Sequence, residues 1–236
     1  MMSEIAQNLE NTLSAIRQSA ENAGRQPDSV KLLAVSKTKS VDLIREAFDH
    51  GQMDFGENRV QELVDKQPEL PQLRWHMIGH LQRNKVRQIA GFIHLIHSVD
   101  SARLLGEISK QALKHDRVID CLIQMNISEE EAKSGLDEKG VAEILNRMDD
   151  FPNVRVLGLM GMAELTDDAV VIRSEFRRLK NAFESFKGIS HPRVQMQELS
   201  MGMSGDYDIA IAEGATMVRI GTAVFGARPC QFDPPA

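Results

Sequence analysis

Strand-sized apolar runs alternate with stretches of helical spacing along the whole chain, and this alternation limits the fold more than any other feature. The runs lie at residues 30–36, 53–55, 74–78, 93–99, 118–127, 154–159, 197–200 and 217–220, eight in all. Between them apolar residues recur at intervals of three and four, as in Ile172, Phe176, Leu179, Phe183 and Phe186, or Val141, Ile144, Leu145 and Met148. Ser40, Ser101, Asp137 and Asp167 stand where helices should begin, and Gly51, Gly188 and Gly214 where they should stop. No Asn-Gly or similar hairpin signal joins two runs. Parallel strands need a crossover between them, so the alternation predicts a parallel sheet of the α/β class. Eight units in roughly 200 residues fit a single closed (β/α)8 TIM barrel at the compact end of its size range. A doubly wound open sheet is the alternative that counting leaves open. Ile5, Leu9, Leu13 and Ile16 share one face of an extra N-terminal helix that ends near Gly24.

Composition narrows the class of function. The 236 residues are 42% hydrophobic and 26% charged, enough apolar material for a large core. The net charge of −6, with Lys and Arg scattered, argues against a nucleic-acid surface. The apolar runs are strand-sized, so no membrane span is expected, and the N-terminus lacks the basic and apolar regions of a secretory signal. Two cysteines make no disulfide framework. Cys121 reads as a small core residue and Cys230 as part of a tail. A cytoplasmic location is expected.

In a barrel of this kind chemistry collects at the C-terminal ends of the strands. Lys37 follows the first run, Glu57 and Asn58 follow the second, and His76 lies at the end of the third. Asn126 ends the fifth, Ser200 the seventh, and Arg219 lies inside the eighth, with Gly221 and Thr222 just after. Singly, each has an ordinary reading as a solvated loop residue or a satisfied core residue. Side-chain alternation adds that Lys37 shares a face with Leu33 and Val35, and Arg219 one with Met217 and Gly221. Two inward cations lose hydration and repel unless something anionic or covalent occupies the mouth. A phosphate-bearing ligand that condenses with the lysine satisfies both. Desolvation and a neighbouring cation also lower a lysine's pKa from about 10.4, freeing its amine for imine formation. The stretch from Ser200 to Asp206, with Gly202 and Gly205, links a strand to a helix. Glycines and helix-start N–H groups favour phosphate, and barrels of this fold often bind it in the loops after strands seven and eight. Ser204 or Asp206 as an ordinary N-cap is the plainer reading of that turn.

Five blocks in order then resemble a known family. They are Val35-Ser36-Lys37-Thr38-Lys39, Phe55-Gly56-Glu57-Asn58, the block from Trp75 to Lys85, Ser200-Met201-Gly202-Met203-Ser204, and Val218-Arg219-Ile220-Gly221-Thr222. The chain resembles the pyridoxal phosphate homeostasis protein family, whose fold is like the barrel domain of bacterial alanine racemase. The resemblance runs from the first helix to about Arg228. It implies one pyridoxal 5'-phosphate (PLP)-binding barrel over residues 1–228 and a tail over 229–236. It also implies that Lys37 forms the internal aldimine with PLP. Ser200, Met203, Ser204, Gly221 and Thr222 correspond to the phosphate-binding set, Arg219 to the arginine facing the pyridine nitrogen, and Asn58 and His76 to residues lining the cofactor. Glu130-Glu131-Ala132-Lys133-Ser134-Gly135 resembles a further family motif, whose ordinary reading is a charged loop. Arg59 departs from the pattern, standing where many members carry an aromatic residue.

The resemblance leaves two functions to weigh: a protein that holds, buffers and delivers PLP, and a PLP-dependent amino-acid racemase. An arginine keeps its proton, so Arg219 would leave the ring nitrogen unprotonated and weaken the electron sink. A racemase needs two acid–base groups. In the related racemase the second is a tyrosine from a domain outside this resemblance, and the one tyrosine here, Tyr207, is expected to pack at a helix start. His76 is the other candidate. The carrier reading is preferred, with PLP-dependent apo-enzymes as candidate acceptors, no catalytic residues, no metal, no nucleic-acid or membrane partner, and a monomeric state.

Overall fold

The eight expected strands form and close on themselves. In chain order they are β1 (Lys31–Val35), β2 (Asp54–Glu57), β3 (Arg74–Met77), β4 (Leu95–Val99), β5 (Ile119–Gln124), β6 (Val154–Met160), β7 (Val194–Ser200) and β8 (Met217–Ile220). Each pairs in parallel with the next, and β8 returns to β1 through Leu33 opposite Arg219 and Ala34 opposite Ile220. That last pairing decides between barrel and open sheet. The computed structural model describes residues 3–128 and 134–226. Cys230 and residues Glu130 to Lys133 of the charged motif lie outside the described residues. No helix among the described residues is long and apolar enough to cross a membrane.

Nine helices are described: α1 (Glu4–Asn22), α2 (Val41–Asp49), α3 (Val60–Lys66), α4 (Val86–Ile89), α5 (Ala102–Lys114), α6 (Glu138–Leu145), α7 (Ala169–Phe186), α8 (Tyr207–Ala212) and α9 (Thr222–Phe225). Ser101 and Asp137 cap as expected, accepting from Leu104 N and Gly140 N. The cap of α7 is Asp168 rather than Asp167, because its carboxylate is the one that reaches Val170 N and Val171 N. β5 is shorter than the apolar run that contains it. Beyond Gln124 the chain turns to pair Asn126 N with Leu136 O, and Leu136 N returns to Gln124 O. β7 begins earlier than expected, at Val194, across a register shift against β6.

Alternation along the strands builds two apolar layers. Outward residues such as Ala34, Phe55 and Trp75 pack under the helices against Ile44 and Leu63. Leu33, Leu95, Leu122, Met160 and Met217 meet inside the barrel. Burying each large side chain contributes about 1.5–3 kcal/mol, so the outer layer carries most of the stability. The inner apolar layer is narrow, leaving room above and below it for polar residues.

Candidate functional site

A cavity of about 540 Å³ opens at the C-terminal mouth of the barrel, a size that holds a small molecule. Lys37, Asn58, Met203, Ser204, Arg219, Gly221 and Thr222 all line it. Seven of the nine residues that the family resemblance assigned to the cofactor therefore converge on one space. Its apolar wall includes Val35, Ile78 and Met162. A primary amine, a guanidinium and two hydroxyls beside an apolar wall suit a flat anionic molecule with a carbonyl.

The turn that carries Lys37 is held by a buried ion cluster. Glu57, fully buried at the end of β2, accepts from Ser36 Oγ (2.7 Å) and Lys66 Nζ (2.8 Å). Lys66 also donates to Ser36 O (3.0 Å) and to Glu62 Oε2 (2.8 Å). Glu62 Oε2 in turn accepts from Thr38 N at 2.7 Å. Thr38 has φ +63°, a left-handed conformation that costs a β-branched residue about 1–3 kcal/mol. The cluster pins residues 36 and 38 on either side of Lys37 and holds that strain. Glu57 thus faces outward toward α3, not into the mouth where its place after a strand suggested. Burial pushes its carboxyl up to about 7, against the opposing pull of Lys66 and Ser36. Lys39 donates to Phe225 O (3.0 Å) and Gly226 O (3.1 Å), tying the same turn to the end of α9.

The loop after β7 packs against β8 through a backbone contact. Gly202 has φ +91°, its carbonyl accepts from Arg219 N at 2.9 Å, and a Cβ placed on it would lie 2.6 Å from Ala210 Cβ. Asp206 accepts from Met203 N and closes the turn that presents Met203 and Ser204. It starts α8 with no side-chain hydrogen bond into that helix. Gly202→Ala is expected to lower stability by roughly 1–3 kcal/mol, because both the φ and the space oppose a side chain. Urea unfolding measures this; an unchanged midpoint would mean the turn yields freely.

His76 and Ser200 do not line the mouth. Both are buried one layer below it, in a chain of hydrogen bonds that crosses the barrel. Arg219 Nη1 lies 2.8 Å from Ser200 Oγ, Ser200 Oγ 3.0 Å from His97 Nδ1, His97 Nε2 3.0 Å from His76 Nδ1, and His76 Nε2 3.0 Å from Asp54 Oδ1. Arginine only donates and an ionised carboxylate only accepts, so both ends of the chain are fixed. Ser200 donates to His97, His97 to His76, and His76 to Asp54. Both imidazoles are neutral with the proton on Nε2, and burial lowers the pKa of each. Arg219 also donates through Nη2 to Gly161 O at 3.0 Å, and burial pulls its pKa down to about 10. Sequence reasoning missed His97. Its signal was its place two residues after inward-facing Leu95. It also passed over His80, which lines the mouth 3.4 Å from Asp100, and Gln124, which lines the mouth where Asn126 was expected. Tyr207 packs at the start of α8, as expected. Cys121 is buried within β5, and burial raises its pKa.

Comparison with known proteins gives this geometry a family. The sequence profile described as alanine racemase, N-terminal domain, matches residues 7–229. The pyridoxal phosphate homeostasis protein of Aquifex aeolicus is 41% identical over 222 residues, 93% of this chain and 96% of that one. The chain belongs to the pyridoxal phosphate homeostasis protein family. Among solved structures, PipY of Synechococcus elongatus PCC7942 with PLP bound superposes with a TM-score of 0.80 at 36% identity, covering 94% of this chain and all of that one (100%). Alanine racemase from Corynebacterium glutamicum shares the fold, with a TM-score of 0.67 at 18% identity over 95% of this chain and 61% of its own. The family is thus the one that the five sequence blocks resembled.

Proposed function

We propose that this chain binds PLP at the barrel mouth, with Lys37 as its covalent anchor, and serves cellular PLP homeostasis and delivery rather than catalysis. The observation that carries this reading is the convergence of Lys37, Arg219, Ser204 and Thr222 on one cavity of about 540 Å³. PipY, a relative in this family, has been solved with PLP bound. The residues present fit the group. Ser204 and Thr222 offer hydroxyls to a phosphate, and the backbone N–H groups that open a helix at Thr222 add donors. A Cβ on Gly221 would lie 2.9 Å from Val35 O, so the lack of a side chain there lets the loop after β8 lie against the end of β1. Val35, Ile78 and Met203 supply apolar contact for a ring, and Asn58 borders it.

When bound, PLP supplies an aldehyde that condenses with amines and a ring that draws electrons. Arg219, which retains its proton, would donate to the ring nitrogen and so keep it unprotonated and that pull weak. Ser200 and His76 act behind the wall: through His97 they hold the guanidinium in place. The same reading takes residues 1–228 as one PLP-binding barrel and 229–236 as a tail. It expects a cytoplasmic monomer that passes PLP to apo-enzymes.

A racemase remains the second reading because His80, paired with Asp100, lines the mouth and could move a proton. Neither Tyr207 nor His76 lines the cavity. Racemisation of a common amino acid at ordinary enzymatic rates, lost in His80→Ala, would favour that reading. The direct test of the proposed site is borohydride reduction of the PLP-loaded protein, followed by peptide mapping. One modified lysine, Lys37, is expected; a modified Lys39 or Lys133 instead would move the anchor elsewhere.

A further inference from the structure

The N-terminal end of the barrel, opposite Lys37, holds a second cavity of about 190 Å³. Asp54 opens β2, His76 lies in β3 and His94 immediately precedes β4, so three successive strands bring them to one level of the barrel. One carboxylate oxygen and one nitrogen of each imidazole all lie within 4.8 Å of one another. We propose that Asp54, His76 and His94 bind a divalent transition-metal ion, with Zn²⁺ the best match.

The donor set carries the choice of ion. Two imidazoles and a carboxylate suit zinc, with water taking the fourth position. Tetrahedral zinc with bonds of about 2.0–2.1 Å separates its ligand atoms by about 3.3 Å. His76 Nε2 and Asp54 Oδ1 already lie 3.0 Å apart. His94 is exposed, so rotation of its side chain closes the remaining distance. The outer partners that orient metal ligands are also in place: His76 Nδ1 meets His97 at 3.0 Å, and Asp54 Oδ2 accepts from Arg74 at 2.7 Å.

Two other carboxylates border the cavity without joining the set. Glu198 is paired with Lys31, and Asp120 is held by Arg155 through two bonds of 2.7 Å. The Arg74 guanidinium opposes a cation nearby. It is half exposed, however, and its bond goes to the second oxygen of Asp54, leaving Oδ1 for the metal.

Metal binding changes the barrel-crossing chain in a defined way. His76 Nε2 gives up its proton to coordinate, and the neutral ring then carries it on Nδ1. His76 now donates to His97 Nε2, His97 Nδ1 donates to Ser200 Oγ, and Ser200 accepts from both His97 and Arg219. No net proton is lost. The two ends of the barrel are thereby linked.

The test uses the full chain without a polyhistidine tag, freed of metal by chelation. Calorimetric titration with Zn²⁺ is expected to find one tight equivalent, and Co²⁺ to give the visible absorption of a tetrahedral site. His94→Ala and Asp54→Asn are each expected to weaken Zn²⁺ binding by at least about 10-fold while leaving circular dichroism unchanged. His94 is exposed, so its replacement leaves folding intact. Absence of a stoichiometric Zn²⁺ site, or the same affinity in His94→Ala as in the wild type, would overturn the proposal.

Discussion

Lys37→Ala is expected to abolish the visible imine absorbance of the PLP-loaded protein and to weaken PLP binding by about 100-fold or more, equivalent to about 3 kcal/mol. The fold should survive. Lys37 is only half-buried and follows β1 in a turn held by the hydrogen bonds of Ser36 and Thr38. Lys37→Arg is expected to lose the same band, because a guanidinium keeps the charge but cannot form an imine with an aldehyde. The pair separates covalent anchoring from simple charge attraction. Weaker, non-covalent binding should persist in both variants through Ser204, Thr222 and Arg219. An undiminished band in Lys37→Ala would sink the assignment.

The second large effect is expected at Lys66, which touches neither the cavity nor, in the proposed reading, the cofactor. Lys66→Met should lower stability by about 3–5 kcal/mol at neutral pH, since it strands the fully buried Glu57 carboxylate. For a chain of this size that is a fall of roughly 10 °C in unfolding temperature. The imine band should weaken too, because Lys66 holds Ser36 O and Glu62, and Glu62 holds strained Thr38. The deficit should shrink on acidification, as Glu57 takes up a proton.

Glu57 sets the sign of the wild-type pH dependence. Its folded pKa of about 7 lies above the ordinary 4.5, so the folded state holds a proton that the unfolded chain has released. Its contribution is therefore complete below pH 4.5 and is lost as pH rises through 7. Glu57→Gln should flatten that slope, and Glu57→Gln with Lys66→Met should recover much of the loss at neutral pH. Urea midpoints measured from pH 5 to 8, a range of about 3 units around the window, decide it. A Lys66→Met protein as stable as wild type at neutral pH would mean that the cluster carries no such load.

The alternation of runs and helical stretches determined the parallel α/β class, and the polar residues at strand ends marked one end of a barrel as the site. Lys37, Arg219 and the loops at Gly202 and Gly221 were legible because each depends on local facts: a strand, the residue after it, and the face it shares. Only the tertiary structure decided closure, which rests on β1 pairing with β8 across nearly the whole chain. It also decided depth. His76 in β3 and Ile78 just beyond it have the spacing of one inward face, yet Ile78 reaches the mouth while His76 lies below it. Periodicity gives the face of a strand. The tilt and stagger of the closed sheet give the layer.

The outward turn of Glu57 likewise depends on Lys66, which reaches it from α3 and is itself held by Glu62. Partners such as His97 and Ser200 are 103 positions apart, and nothing in either local sequence names the other. The sequence by itself determined that an amine, a guanidinium and hydroxyls stand at the C-terminal ends of parallel strands. The folded barrel alone decided which of the inward polar residues face a ligand and which stand behind, because hydrogen-bond partners are chosen by distance in space.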